Sequence, residues 1–200
     1  MLSIILKNIA YSYYPKGICN ISNKEKYLNS LEYKKTEQLL SSFFDTEESK
    51  MTYDALLYEL QRLTFVKEIK DATLLQWQDR CLSFEIEYLE GDKLTRICIH
   101  ISLLIPYYLI YILDNAVAFE PYRWLSYPQR NIEKEKHEFA ERISEISKVI
   151  ESVTNFHPFN EELAEIVLPD LNFKDIRMGE FTLFNAFFLD DNNYILDIEQ

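Results

Sequence analysis

The sequence predicts an α+β protein in which an antiparallel sheet packs against several helices. Residues 81–89 and 94–104 alternate apolar and polar side chains, which is typical of half-buried strands. Residues 107–113 are apolar at every position, which indicates a strand buried on both faces. Elsewhere, apolar residues recur at spacings of three and four, as amphipathic helices require. Strands followed and preceded by helices define the α+β class.

Length and composition are those of one globular domain spanning residues 1–200. The chain is 48% hydrophobic and 27% charged, ordinary values for a folded protein. At this size, roughly 70% of the unfolded surface would be buried, enough for a core without disulfides or metals. Only 3 glycines occur, so a glycine-rich phosphate loop is excluded.

The first third of the chain predicts one short strand and two helices. Residues 2–7 favour the strand, because they are mostly large and apolar. Asn29 and Asp45 begin the helices, since Glu32 and Glu48 follow at the spacing of a capping box. We expect inward-facing side chains at Leu31, Leu39, Leu40 and Phe43 in the first helix and at Tyr53, Leu56, Leu57, Leu60 and Leu63 in the second.

A two-residue turn at Gly91-Asp92 would set the register of the central hairpin. On one face it places apolar residues opposite each other, in the pairs Leu82–Ile101, Phe84–Ile99 and Ile86–Ile97. On the other face, which we interpret as polar, Glu87 meets Arg96 and Ser83 meets His100. This register keeps Cys81 and Cys98 from facing each other, so we expect free, buried thiols as in a reducing compartment.

Residues 97–113 form a long apolar run that allows a membrane helix or two buried strands. His100, Pro106 and the alternation of the first half favour two strands. The N-terminus has no basic region before a long apolar stretch, so we expect no signal peptide and a cytoplasmic location.

The remaining chain predicts a long helix and a compact C-terminal region. Asn131 caps a helix that continues to Val153, with an inward stripe at Phe139, Ile143, Ile146, Ile150 and Val153. A short helix follows around residues 161–167, and residues 181–189 form a buried element of undetermined type.

The net charge of −12 argues against nucleic acid as a partner. Residues 151–200 contain 11 acidic side chains and only two basic ones, Lys174 and Arg177. This charge asymmetry is typical of a solvated face that maintains solubility, or of a surface that binds a basic protein.

No pattern in the sequence requires catalysis, and we expect neither a cofactor nor a bound metal. Glu133, His137 and Glu141 share one side of a helix, but the glutamates lie two turns apart. His157 with Glu161 and Glu162, and the pair His100–Ser83, lack a recognisable third catalytic partner. A hydrolase or metal-dependent enzyme at these residues stays open as an alternative.

Two groups of residues are candidates for binding a partner protein. The first is aromatic and lies in a segment without periodicity, where loops often carry function: Tyr122, Trp124 and Tyr127. The second is chosen from the region of greatest charge imbalance: Glu161, Glu162, Glu165, Asp170, Asp190 and Asp191.

Three strings resemble those of small bacterial proteins regarded as immunity proteins of polymorphic or contact-dependent toxin systems. They are YSYYPKG at 11–17, HISLLIPYYLIY at 100–111 and GEFTLFNAFFLDD at 179–191. The resemblance implies a cytoplasmic domain that binds and blocks a cognate toxin without chemistry of its own. It carries no defined motif residues. The acidic charge favours a toxin with a basic active site, such as a nuclease. A structural or assembly subunit is the third alternative, and no membrane partner is expected.

Overall fold

A computed structural model describes residues 1–75, 79–90, 93–116 and 129–190, with the backbone alone at 93, 115, 116 and 129. It confirms an α+β fold. A 3₁₀ turn at Phe43–Asp45 precedes the fourth of the helices, which are α1 (Leu2–Tyr11), α2 (Lys24–Leu28), α3 (Leu31–Ser41), α4 (Glu47–Gln61), α5 (Ile132–Lys136), α6 (Ala140–Thr154), α7 (Glu161–Ala164) and α8 (Leu183–Phe187).

The sheet is a meander with one parallel addition. Its strands are β1 (Lys70–Asp71), β2 (Cys81–Glu90), β3 (Lys93–Ser102), β4 (Tyr107–Ala116), β5 (Gln129–Arg130) and β6 (His157–Pro158). The strands β1 to β5 follow one another in antiparallel order. Strand β6 pairs in parallel with the start of β4, on the same outer edge that β5 occupies further along.

The register predicted for the hairpin is confirmed. Leu82 lies opposite Ile101, and Ser83 lies opposite His100. Glu90 pairs with Lys93, which leaves two residues, Gly91 and Asp92, to connect the strands; both lie outside the described residues. Cys81 and Cys98 are free and buried, as the register requires.

Helices cover the sheet on both faces, so the face predicted to be polar is buried at Ser83 and His100, whereas Glu87 on the same face is exposed. On one face, α4 and α6 enclose a core that includes Leu56, Ile99 and Ile146 and is called here the α4–α6 core. On the other face, α1 and α8 pack over Cys98 and Tyr111 in the α1–α8 core. Because the second helical layer lies above His100 and Ser83, their side of the sheet is also removed from water.

The N-terminal element is a helix rather than the predicted strand. Leu6 and Ala10 of α1 are buried four residues apart, on one helical face directed toward α8. Packing thus outweighs the strand preference of the isoleucines. Helices α3 and α4 begin at Leu31 and Glu47 and are capped by Ser30 and Thr46. The predicted caps Asn29 and Asp45 are each one residue early, and Leu31 is 83% exposed rather than inward-facing.

The helix predicted from Asn131 to Val153 is interrupted at residues 137–139. Asn131 does cap its start, by accepting a hydrogen bond from the Lys134 amide at 3.0 Å. The Phe139 amide then reaches back to the Lys134 carbonyl, five residues away, and the chain restarts as α6 at Ala140. Glu135 and Phe139 would share one face of an unbroken helix. The break lets Glu135 bind Arg130 while Phe139 enters the α4–α6 core.

Residues 97–113 belong to β3 and β4, so the alternative of a membrane helix there is wrong. Within the described part of the chain, every helix is too short or too polar to cross a membrane.

Truncation of Ile99 should test the central packing. Its side chain is 0% exposed between β2 and β4. We expect Ile99→Ala to lower the free energy of unfolding by about 2–5 kcal/mol, from lost burial and the cavity left behind. Urea denaturation measures this. The matched control Ile21→Ala removes the same atoms from a side chain that is 69% exposed, and should change stability by less than about 0.5 kcal/mol. Equal effects at both positions would refute the placement of Ile99.

Candidate partner-binding surface

His100 lies at the centre of a buried polar chain. Its Nδ1 is 3.0 Å from the Ser83 Oγ and its Nε2 is 2.9 Å from the Tyr111 hydroxyl. The Cys81 Sγ lies 3.4 Å from the same Ser83 oxygen. Burial lowers the pKa of His100 to about 3, so the imidazole is neutral near pH 7. All four side chains are buried, and the chain therefore satisfies core polar groups without offering an accessible nucleophile.

The other histidines lie on the surface. His137 Nε2 is 3.4 Å from Glu133 Oε2, and both side chains are mostly exposed. His157 lies exposed in β6. Among the described residues, no three His, Cys, Asp or Glu side chains are arranged to hold a metal ion.

Asp170 and Asp190 are held in contacts within the protein. Asp170 accepts a hydrogen bond from the Tyr11 hydroxyl at 2.6 Å and pairs with Lys16 at 3.1 Å. Asp190 pairs with Arg80 and with Lys174, each at 2.7 Å. These two predicted partner-binding residues thus join the C-terminal region to α1, its following turn and the start of β2. Asp191 lies outside the described residues.

Asp190 is bound within the protein because it neutralises the buried Arg80. Its guanidinium is fully buried, donates to the Asn185 carbonyl at 2.6 Å and stacks over the Phe173 ring at 4.8 Å. A buried cation requires a nearby anion, because its desolvation is otherwise uncompensated. Asp190 supplies that anion.

The other predicted acids are exposed: Glu161 and Glu162 begin α7, and Glu165 directly follows its last residue. Asn160 caps this helix by accepting a bond from the Glu162 amide at 2.8 Å. Glu161 contacts Arg130 at 2.8 Å, whereas Glu162 and Glu165 form no ion pair with any described residue. These three carboxylates are called the α7 acidic surface.

A buried ion pair attaches the α7 acidic surface to the sheet. Arg130 donates to both oxygens of Glu135, from Nε at 2.9 Å and from a terminal nitrogen at 2.8 Å. The same Glu135 accepts the Ile112 amide at 2.9 Å. Arg130 belongs to β5 beside the end of β4, and its ion pair with Glu161 places α7 next to this strand end.

The predicted aromatic residues belong to the connection between β4 and β5. Tyr122, Trp124 and Tyr127 lie outside the described residues, so their role stays a prediction. The two ends of the connection lie side by side, because Leu113 pairs with Arg130. The connection therefore starts and finishes at the strand end to which Arg130 attaches Glu161.

A second polar cluster supports the same strand end. Asp114 accepts bonds from Thr95 and Lys134 through one oxygen, at 2.8 and 3.0 Å, and from Asn131 through the other at 2.8 Å. Burial opposes ionisation of Asp114, but these bonds prevail and lower its pKa. The sequence offered no signal for Asp114, Arg130 or Glu135, because contacts across the β4–β5 pair join residues with no shared periodicity.

The surface also carries clefts. One of about 570 Å³ lies between α3, α4 and β1 and is lined by Glu37, Leu40, Ser41, Phe44, Tyr53, Asp71, Thr73 and Leu75. Another, of about 490 Å³, follows the outer edge of β2. Neither is lined by His100, His137 or His157.

Comparisons of the chain with protein-family models, curated proteins and solved structures find no match.

The pH dependence of stability should report on His100. Its pKa in the folded state is about 3, below its ordinary value of 6.5. The neutral form therefore favours folding: this stabilisation is complete above pH 6.5 and is lost as the pH falls toward 3. As the pH is lowered from about 7 to about 4, the free energy of unfolding should therefore fall less in His100→Gln than in the wild type, and the difference should be roughly 2–3 kcal/mol.

Urea denaturation at several pH values measures this difference. His157→Gln, at an exposed histidine, controls for loss of an imidazole. Parallel pH profiles for the wild type and His100→Gln would contradict burial of a neutral imidazole.

Removal of Glu135 should be costly. Glu135→Ala removes the carboxylate that accepts two hydrogen bonds from the buried Arg130, and it removes the acceptor of the Ile112 amide. We expect a loss of about 3 kcal/mol in the free energy of unfolding. Glu133→Ala, in the same helix but with an 82% exposed side chain, should cost less than about 0.5 kcal/mol. Thermal and urea denaturation measure the stability of both variants. Similar small losses of stability at both sites would disprove the buried ion pair.

Proposed function

We propose that this protein is an immunity-type inhibitor that acts in the cytoplasm, binding a cognate toxin and occluding it without chemistry of its own. The observation that carries the proposal is the α7 acidic surface beside the β4–β5 junction. There, Glu162 and Glu165 are exposed carboxylates with no ion pair among the described residues. The acidity of residues 151–200 is thus partly available to a partner at this place.

The charge of this surface favours a partner with a basic active site. A nuclease binds a polyanion, so its cleft carries lysine and arginine side chains. Complementary charge accelerates encounter and discriminates among partners. Slow dissociation then requires large side chains buried at the interface. Tyr122, Trp124 and Tyr127 are proposed for this second role, because their segment begins and ends at the same strand end.

An enzyme is the competing class. It would use Glu133, His137 and Glu141, or His157 with Glu161 and Glu162. Stoichiometric metal in the purified protein, lost on His137→Ala, would favour that class over the inhibitor.

The decisive experiment uses the product of the neighbouring gene. If it is the toxin, co-expression of this protein should relieve its toxicity and the two should co-purify. Glu162→Gln combined with Glu165→Gln should slow association by about 3- to 10-fold and flatten its salt dependence, because steering charge is lost. Stopped-flow kinetics at several salt concentrations measures both effects.

A matched control removes the same charge elsewhere. Glu138→Gln combined with Glu141→Gln neutralises two exposed acids in the α5–α6 break and the first turn of α6, which are not part of the α7 acidic surface, and should leave association nearly unchanged. Trp124→Ala should mainly hasten dissociation. Equal slowing by both double variants would mean that only net charge matters. Failure to bind or to relieve toxicity would refute the proposed function.

A further inference from the structure

The outer edge of β2 is open over its last residues. Strand β1 pairs only with Phe84 and Glu85, and the Ala72 amide extends this contact to the Ser83 carbonyl at 2.9 Å. Because main-chain groups alternate in direction along a strand, the groups of Ser83, Glu85, Glu87 and Leu89 point outward, away from β3. Glu87 and Leu89 lie beyond β1. No other described main-chain group bonds to them on that side.

A cleft lies alongside this open edge. The chain that leads into β1 diverges from β2 and leaves about 490 Å³ between the two. The walls come from residues on both sides: Phe65, Lys67, Glu68, Lys70, Glu85, Glu87, Tyr88 and Leu89. One wall is therefore a strand edge whose outward amides and carbonyls at Glu87 and Leu89 bond to no described main-chain group, and such an edge is a template for another extended chain.

The two sides of the edge differ in chemistry. On one side, Tyr88 and Phe65 pack against the α4–α6 core, and the Arg142 guanidinium lies over both rings at 4.8 and 5.8 Å. On the other side, Leu89 is 64% exposed. Within the described residues, the ion pair of Glu87 on that side is a 4.0 Å contact to Lys70.

We propose that the edge of β2 at Glu87 and Leu89 binds an extended segment of the partner protein by strand addition. The segment would alternate an apolar residue, against Tyr88 and Phe65, with a basic residue, against Glu87. A second copy of this chain is disfavoured as the occupant, because each copy carries a charge of −12 and would bring Glu87 near its own equivalent. The inference rests on the proposed function in assigning the segment to that partner.

Proline at Leu89 tests the edge directly. Leu89→Pro removes an amide that, in the described structure, bonds to no protein group, and proline is tolerated on edge strands. Leu89→Ala keeps the amide and removes only the side chain. We expect Leu89→Pro to weaken binding of the neighbouring gene product by about tenfold or more, and Leu89→Ala by less than about threefold. Glu87→Pro provides a second variant, and circular dichroism confirms folding of each.

A displayed library of random twelve-residue peptides serves as a probe independent of that partner. Selection on the wild-type protein should yield peptides that alternate apolar and basic residues and that bind Leu89→Pro about tenfold more weakly. Their binding should slow hydrogen exchange of the Glu87 and Leu89 amides.

The outcomes separate the two proposals. A neighbouring gene product that binds wild type and both proline variants equally overturns strand addition and leaves the inhibitor function standing. Absence of toxin binding overturns the proposed function. In that case the peptide selection tests strand addition by itself. Strand addition is overturned if the selection yields no peptides, or peptides whose binding does not depend on the Leu89 amide. Self-association that is lost in Leu89→Pro would replace the partner segment with a second copy.

Discussion

Because helices cover both faces of the central part of β2, β3 and β4, the buried polar side chains there, such as His100 and Ser102, require partners within the protein. His100 meets this requirement through Ser83 and Tyr111. The Ser102 hydroxyl donates to the Phe187 carbonyl at 2.9 Å and so attaches the sheet to α8. These bonds offset the cost of removing polar groups from water. They also orient the second helical layer relative to the sheet.

The same constraint divides the charges of the C-terminal region. The buried Arg80 and Arg130 each need an acid nearby, and Asp190, Glu135 and Glu161 fill this role. The net negative charge counted from the sequence is therefore larger than the negative charge that the surface exposes. Among the described acids predicted to bind a partner, those that stay exposed are Glu161 and Glu162 of α7 and Glu165 directly after it.

In the proposed inhibitor, two features of the fold would present the toxin with different chemistry. The α7 acidic surface acts at long range, because charge attracts before contact. The open edge of β2 acts only on contact, because main-chain hydrogen bonds require a matched strand. A protein with both could combine rapid encounter with a defined bound geometry, which suits an inhibitor that must stop a toxin quickly and completely.

The sequence by itself determined the fold class, the three central strands and the hairpin register. The register follows because side chains alternate along each strand and two residues connect the strands, so that one pairing alone places apolar residues opposite apolar residues. It also determined the inward stripe of α6. Tertiary structure decided the rest. Residues 2–11 are helical because α8 offers a surface for Leu6 and Ala10, and His100 is buried because a second layer covers its face. The sequence supplied the set of acidic candidates. Only the positions of Arg80, Lys174, Tyr11 and Lys16 showed that Asp190 and Asp170 are engaged within the protein. Such pairs join residues distant in the chain, so no local pattern records them.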